Sequence, residues 1–430
     1  MTGSGDLGYV SSEWQIDAPS GAVPFTPTTI YSYSASYDNV GNVTASSDST
    51  YNGGSIMGSW TYTYDTLNRL VSGTATAGAL SGQYSCWGYD SFGNRTLSAP
   101  VPCSQNPPPT QSYDSGNHLT GGVAQYDPAG DVTGMGAATY LYDAEGRVCA
   151  VQSGTVNGMP VLTGYLYDAD GNRVAKGALT KCTDTAHCSC DPSSNGFQLA
   201  ESYVLDTDGE ELTMLNGSGN WQLTNVFGAG KQLATYDSNG LHFQVTDPLG
   251  TRRLQTSAVG QPETDIQSLP FGDGLNIYPA PDAPTTADDA TPLHFTGKER
   301  DAESGNDYFG ARYYASTMGR FLSPDWSAKE EPVPYAKLDN PQTLNLYQYM
   351  ENNPLGGVDA DGHQDGFVIT PEGPVPLPFP ISGQLSREDY NRMGNQVANF
   401  FAPLPGILKN DLTHPVEALK SIFTLNGNTT

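Results

Sequence analysis

Apolar and polar positions alternate along most of this chain with a period of two. In Tyr62-Thr63-Tyr64, Tyr140-Leu141-Tyr142 and Tyr165-Leu166-Tyr167 the aromatics sit at every second residue, which places both rings on one face of a β-strand. Such runs end in a recurring frame: Tyr-Asp, two variable residues, Gly, then usually Asn or Arg, then an apolar or Thr position. It is seen in SYDNVGNVTAS (36–46), TYDTLNRLVSG (63–73), GYDSFGNRTLS (88–98), QYDPAGDVTGM (125–135), LYDAEGRVCAV (141–151) and LYDADGNRVAK (166–176). SYDSGNHLTGG (112–122) is one residue shorter, and VLDTDGEELTM (204–214) keeps the turn without the tyrosine. Each frame predicts a β-hairpin. The Asp accepts from backbone N–H groups ahead of it, and the Gly supplies the left-handed residue that closes the turn. Stacked hairpins of this kind bury their tyrosines against their neighbours in one long twisted sheet. Only the tail changes period. Ser386 reads as an N-cap, Glu388 and Asp389 lie in a first turn, and Tyr390, Met393, Val397 and Phe400 follow at helical spacing, with a second short helix over 415–423.

Composition agrees with a turn-rich β protein. Charged residues make up 15% of the 430, with 49 Gly, 31 Pro and 25 Tyr. The usual charged share is about a quarter. The balance of 19 basic against 46 acidic residues gives a formal charge of −27. Such a surface repels phosphate backbones and anionic lipid, which argues against nucleic-acid binding. No apolar run approaches a transmembrane span, and the opening MTGSGDLGYVSSEW has no signal-peptide pattern. Either export takes another route or the chain is the C-terminal part of something longer.

Six cysteines (Cys86, Cys103, Cys149, Cys182, Cys188 and Cys190) suit disulfides, but are too few for a disulfide scaffold of this length. KCTDTAHCSC lacks paired C-x-x-C knuckles, leaving disulfides or free thiols ahead of zinc. The D-x-D-G pieces at Asp168 and Asp206 lack the remaining ligands of a calcium loop. No cofactor and no metal is expected.

The Tyr-Asp frame resembles the YD repeat of RHS-repeat proteins, which include bacterial polymorphic toxins, insecticidal toxin-complex C components and the teneurin shell. HFTGKERDAESGNDYFGARYYASTMGRFLSPDW (294–326) and LNLYQYMENNPLGGVDADGH (344–363) resemble the RHS-repeat-associated core. The landmarks come in order: Arg312-Tyr313-Tyr314, Gly319-Arg320-Phe321, Ser323-Pro324-Asp325, Asn345-Leu346-Tyr347-Gln348-Tyr349, Asn352-Asn353-Pro354 and Asp359-Ala360-Asp361-Gly362. The family's closing motif usually reads Asp-Pro-x-Gly-Leu. Here Ala360 and His363 differ from it, and Trp326 stands where a second proline is common.

The resemblance implies an all-β fold, a spiral antiparallel sheet of stacked hairpins that curls into a shell sealed by the core. The repeat array here is short for a closed shell, so a partial or open one is expected, followed by the short helical tail. The expected divisions are an irregular lead (1–30), the YD spiral (31–260) with a Cys-containing insertion near 178–198, the core (290–363), a Pro-rich linker (364–385) and the tail (386–430). It also implies that the core acts as an intramolecular aspartyl protease, with Asp325 and Asp359 as the catalytic pair and Arg320 supporting. Scission then falls between His363 and Gln364. Two carboxyl groups in a desolvated wall share a proton, so one can serve as base and the other as acid. On this reading the protein encloses, processes and presents its own C-terminal tail in toxin delivery or bacterial competition. It is secreted or on the cell surface, with further shell components or an immunity protein as partners. The alternative is a non-enzymatic secreted or cell-surface structural protein with an inactive core.

Overall fold

The computed structural model describes residues 10–15, 29–50, 57–156, 159–207, 209–228, 230–280, 288–326, 340–363, 367–370 and 373–376. Two long antiparallel sheets dominate it. The first has seven strands, from Val10–Gln15 to Arg95–Ala99, and the second fourteen, from Ala124–Tyr126 to Asn276–Pro279. Every strand pairs with its neighbours in sequence, so each sheet is a meander without crossovers. Neither closes into a barrel.

The repeat turns form as their sequence dictates. One Oδ1 of Asp38, Asp65, Asp90, Asp127, Asp143 and Asp168 accepts from the N–H groups two and four residues on, at 2.9–3.1 Å. The glycine that follows sits at positive φ, as at Gly93 (78°) and Gly171 (91°), and Asn68 takes the same place at 62°. A second regularity escapes inspection of a single repeat. In four frames the tyrosine hydroxyl reaches back one hairpin to a return-strand carbonyl: Tyr64 to Val43, Tyr89 to Leu70, Tyr142 to Val132 and Tyr167 to Val148, at 2.7–3.0 Å. The tyrosines thus bury their rings and also satisfy their polar tips.

The later part of the second sheet touches the first at two places. Tyr31 packs with Val245 and Leu254, and the Trp87 ring lies edge-on to Phe271 at 5.4 Å. Residues 288–326 and 340–363 pack against both sheets. A four-stranded sheet (Glu299–Arg300, Asp307–Tyr308, Tyr313–Ala315, Arg320–Phe321) presents Tyr313, Ala315, Met318 and Leu322 to Val132, Tyr140, Val148 and Tyr165 of the long sheet. Behind it Phe295, Phe309, Tyr314, Phe321, Tyr349 and Met350 form a second cluster. Burying each such ring contributes about 1.5–3 kcal/mol.

Polar contacts fix the orientation of this core. Asn345 and Asn353 donate to the turn residues Asn94 and Asn42 at 2.9 Å, and Tyr347 donates to the Gly130 carbonyl at 2.6 Å. Deeper in, Arg173 of the long sheet pairs with Glu299 and, at 3.0 Å, with Asp301, beneath the rings of Tyr165, Tyr203, Tyr308 and Tyr313.

Three expectations change. The lead, expected to be irregular over 1–30, supplies the strand Val10–Gln15, paired with Thr29–Tyr37. The long ladder runs on past 260 to Asn276–Pro279. The stretch read as a linker contains two strands, Phe367–Thr370 and Gly373–Pro376, which build a small sheet on Gly357–Val358. Two of its prolines, Pro374 and Pro376, fall on the outer strand, where a proline is tolerated. All six cysteines pair, as Cys86–Cys103, Cys149–Cys190 and Cys182–Cys188. The helices expected over 386–430 lie outside the described residues.

Candidate active site

Asp325 follows the last strand of the small core sheet, and Asp359 follows Gly357–Val358. The fold brings them together through Arg312. Its Nη2 stands 3.1 Å from Asp325 Oδ2 and 3.6 Å from Asp359 Oδ2. The same guanidinium donates from Nη1 to the Leu346 carbonyl at 2.8 Å, from Nε to the Gly362 carbonyl, and from Nη2 to the His363 carbonyl at 2.6 Å. Its plane lies over the Phe321 ring, 3.7 Å from the centroid. Arg312, Asp325 and Asp359 are all buried. A planar fork of fixed donors suits such a convergence.

The closing motif wraps around this arginine because of one glycine. Gly362 sits at φ 82°, where a Cβ would lie 2.8 Å from the Phe309 carbonyl oxygen and 3.0 Å from the Arg312 nitrogen. Asp359 Oδ1 accepts from Gly362 N at 2.8 Å and from Asp361 N at 3.3 Å. On the other side Ala311 N donates to the Asp361 carbonyl at 2.9 Å, and Lys298 Nζ to the Ala360 carbonyl at 2.6 Å.

Burial pushes the Asp359 carboxyl up to about 6; Arg312 opposes the shift, while Asp361 and Asp325 add to it. Asp325 is fully engaged. Oδ1 accepts from Trp326 N at 2.8 Å and lies 3.0 Å from His363 Nδ1, and Oδ2 faces Arg312. The His363 and Trp326 rings meet edge to face at 4.6 Å.

Arg320, expected to support the pair, is used elsewhere. Its Nη2 donates to the Asn117 carbonyl at 2.8 Å, and its guanidinium covers the rings of Tyr113 and Tyr347 at 5.0 and 4.4 Å. It ties the core to the short YD repeat, and Arg312 contacts both carboxylates instead. Arg312 opens the Arg-Tyr-Tyr landmark. Nothing in the spacing of two arginines eight positions apart distinguishes which one faces the aspartates.

No protein-family model matches the chain. Among curated proteins, the tRNA3(Ser)-specific nuclease WapA of Bacillus spizizenii is 29% identical over 312 residues, covering 71% of this chain. Toxin subunit YenC1 of Yersinia entomophaga is 26% identical over 371 residues, covering 77%, and YenC2 is 43% identical over 70 residues, covering 16%. The chain spans 12%, 37% and 6% of those proteins' own lengths. Among solved structures, TcdB2-TccC3 without its hypervariable C-terminal region superposes with a TM-score of 0.57 at 22% identity, over 81% of this chain and 17% of that one. In sequence the chain is therefore similar to RHS-repeat toxin proteins, and its fold is that of the TcdB2-TccC3 shell.

Proposed function

We propose that this chain is the shell-and-core portion of an RHS-type toxin, and that its core cuts the backbone between His363 and Gln364. The observation that carries the reading is the convergence of Asp325, Asp359 and the His363 carbonyl on one Arg312 nitrogen, within 2.6–3.6 Å. The guanidinium polarises the carbonyl and stabilises the charge that develops on its oxygen. Asp325 removes a proton from a water as the water attacks the carbonyl carbon. Asp359, kept protonated to unusually high pH by burial, gives its proton to the departing Gln364 nitrogen. The C–N bond breaks, one water is consumed, and the products are a His363 carboxylate and a Gln364 amine. Tethering replaces substrate binding, so a single turnover needs no external recognition pocket.

The toxin context rests on the relatives, whose names are toxin subunits and tRNA nucleases. A catalytic activity carried elsewhere in those longer proteins is not transferred to this chain. Partnership with other toxin components is supported by the complexes in which the similar fold occurs. Three disulfides support passage through an oxidising compartment, and hence secretion or surface display.

Denaturing intact-mass measurement of the purified full chain tests the reading. The wild type is expected as two pieces split before Gln364, and Asp359→Asn as a single chain. A wild type that stays whole from mildly acidic to neutral pH sinks it.

A further inference from the structure

His363 is both the residue whose carbonyl would be attacked and the owner of a side chain lying against the proposed base. Its backbone is pinned on two sides: the carbonyl receives Arg312 Nη2 at 2.6 Å, and its N–H donates to Asp361 Oδ1 at 3.1 Å. The imidazole is then directed back at Asp325, with Nδ1 3.0 Å from Oδ1, and is braced edge-on by Trp326. With Trp326 N on the same Oδ1 and Arg312 on Oδ2, both oxygens of Asp325 already have partners. A carboxylate so engaged has little freedom to take a proton from water.

We propose that His363 is a positioning residue that gates self-cleavage by holding Asp325: while its imidazole carries a charge, the ion pair keeps the base occupied, and neutralising the imidazole releases it. The inference rests on the self-cleavage reading above. The charged groups facing the imidazole and its backbone are Asp325, Arg312 and Asp361, with Asp359 on the far side of Arg312 and Lys298 on the neighbouring Ala360 carbonyl. Burial displaces the Asp359 carboxyl toward neutrality, and Asp359 acts in the opposite sense to the imidazole: its ionisation removes the acid and slows the cut as pH rises. The imidazole governs the acidic limb of the profile, since histidine is the side chain whose charge ordinarily changes across neutral pH. The cut therefore has a pH optimum, with a flank belonging to each residue.

The test compares full-chain wild type, His363→Leu and His363→Gln, following cleavage by denaturing intact mass between about pH 5 and 8. Leu fills similar space without a hydrogen bond, and Gln keeps a neutral donor. His363→Leu is expected to cut roughly fivefold faster than wild type at the acidic end, with its acidic limb about one unit lower. His363→Gln is expected to share that displaced limb. All three are expected to share the alkaline limb. Superimposable acidic limbs in the three proteins overturn the gate and leave the autoprotease standing. If none of the three cuts at any pH, the autoprotease reading fails and takes the gate with it. A second readout is independent of rate. In the uncut Asp359→Asn chain, adding Asp325→Asn is expected to change the His363 Nδ1 resonance in NMR spectra by altering its hydrogen bond, and an unchanged resonance rejects the pairing.

Discussion

Arg312 is the residue on which the candidate site turns, because three groups from different parts of the chain depend on one guanidinium. Arg312→Lys keeps a charge but cannot span the Gly362, His363 and Leu346 carbonyls together. It is expected to slow cleavage by roughly two orders of magnitude while leaving the far-UV spectrum unchanged. Arg312→Ala leaves two buried carboxylates without their cation and is expected to destabilise the core by about 3–5 kcal/mol in chemical denaturation. Gly362→Ala strains the closing turn against the Phe309 carbonyl, and the expected outcome is loss of cleavage with little change in global unfolding. The two aspartates could be named from their landmarks in the sequence. Arg312 could not, since what selects it over Arg320 is the packing of one side chain on Phe321 and of the other on Tyr113 and Tyr347, contacts that exist only once the core is folded.

Among elements, the hairpins were the most legible, because each carries its whole instruction locally: an alternating strand, an Asp, and a residue that tolerates positive φ. The way the core docks on the sheet was not, for it depends on non-local pairs. Arg173 lies in an ordinary repeat frame, yet it holds Glu299 and Asp301 across the interface. Burial alone would raise Glu299, but Arg173 and Lys176 keep it below its ordinary value. Burial, with Glu299 and Glu303 beside it, pushes Asp301 up to about 7 against the pull of Arg173. Arg173→Met is expected to destabilise the docked core by about 3–5 kcal/mol, because it leaves two buried acids with only the more distant Lys176. The measurement is chemical denaturation monitored by tryptophan fluorescence. The insertion near 178–198 is likewise held by a distant bond. Cys149–Cys190 closes a loop with a sequence separation of 41. Replacing both with Ser is expected to lower stability by about 4 kcal/mol if loop entropy governs.

Across the whole molecule, buried carboxyls set the response to pH. Burial pushes Asp131, Asp265, Asp307 and Asp359 each up to about 6, and Asp301 up to about 7. For an acid whose folded pKa is raised, the stabilisation is complete below the unfolded value near 4 and is lost as pH rises through the folded one. Calorimetry from about pH 5 to 8 is therefore expected to show a falling melting temperature, with the steepest loss between about 5 and 7. A flat or rising curve would contradict the burial of these groups. A net charge of −27 adds repulsion in the same direction.

The small sheet beyond the proposed cut gives these chemical steps a mechanical setting. The His363–Gln364 bond lies in the connection between Gly357–Val358 and Phe367–Thr370, two strands that hydrogen-bond to one another. Breaking it opens a loop without separating what the loop joins, so the severed segment is expected to co-elute with the core in native chromatography. What holds it is two rungs, Gly357 with Val368 and Val358 with Phe367, and beyond them the four-rung pairing with Gly373–Pro376. Tension applied from the C-terminal side meets these rungs one at a time, as a zipper does, instead of loading them together. In the uncut chain the same pull ends at a covalent bond. On the proposed reading, cleavage leaves the shell at rest unchanged and is expected to convert a permanent anchor into a latch that yields to modest directed force.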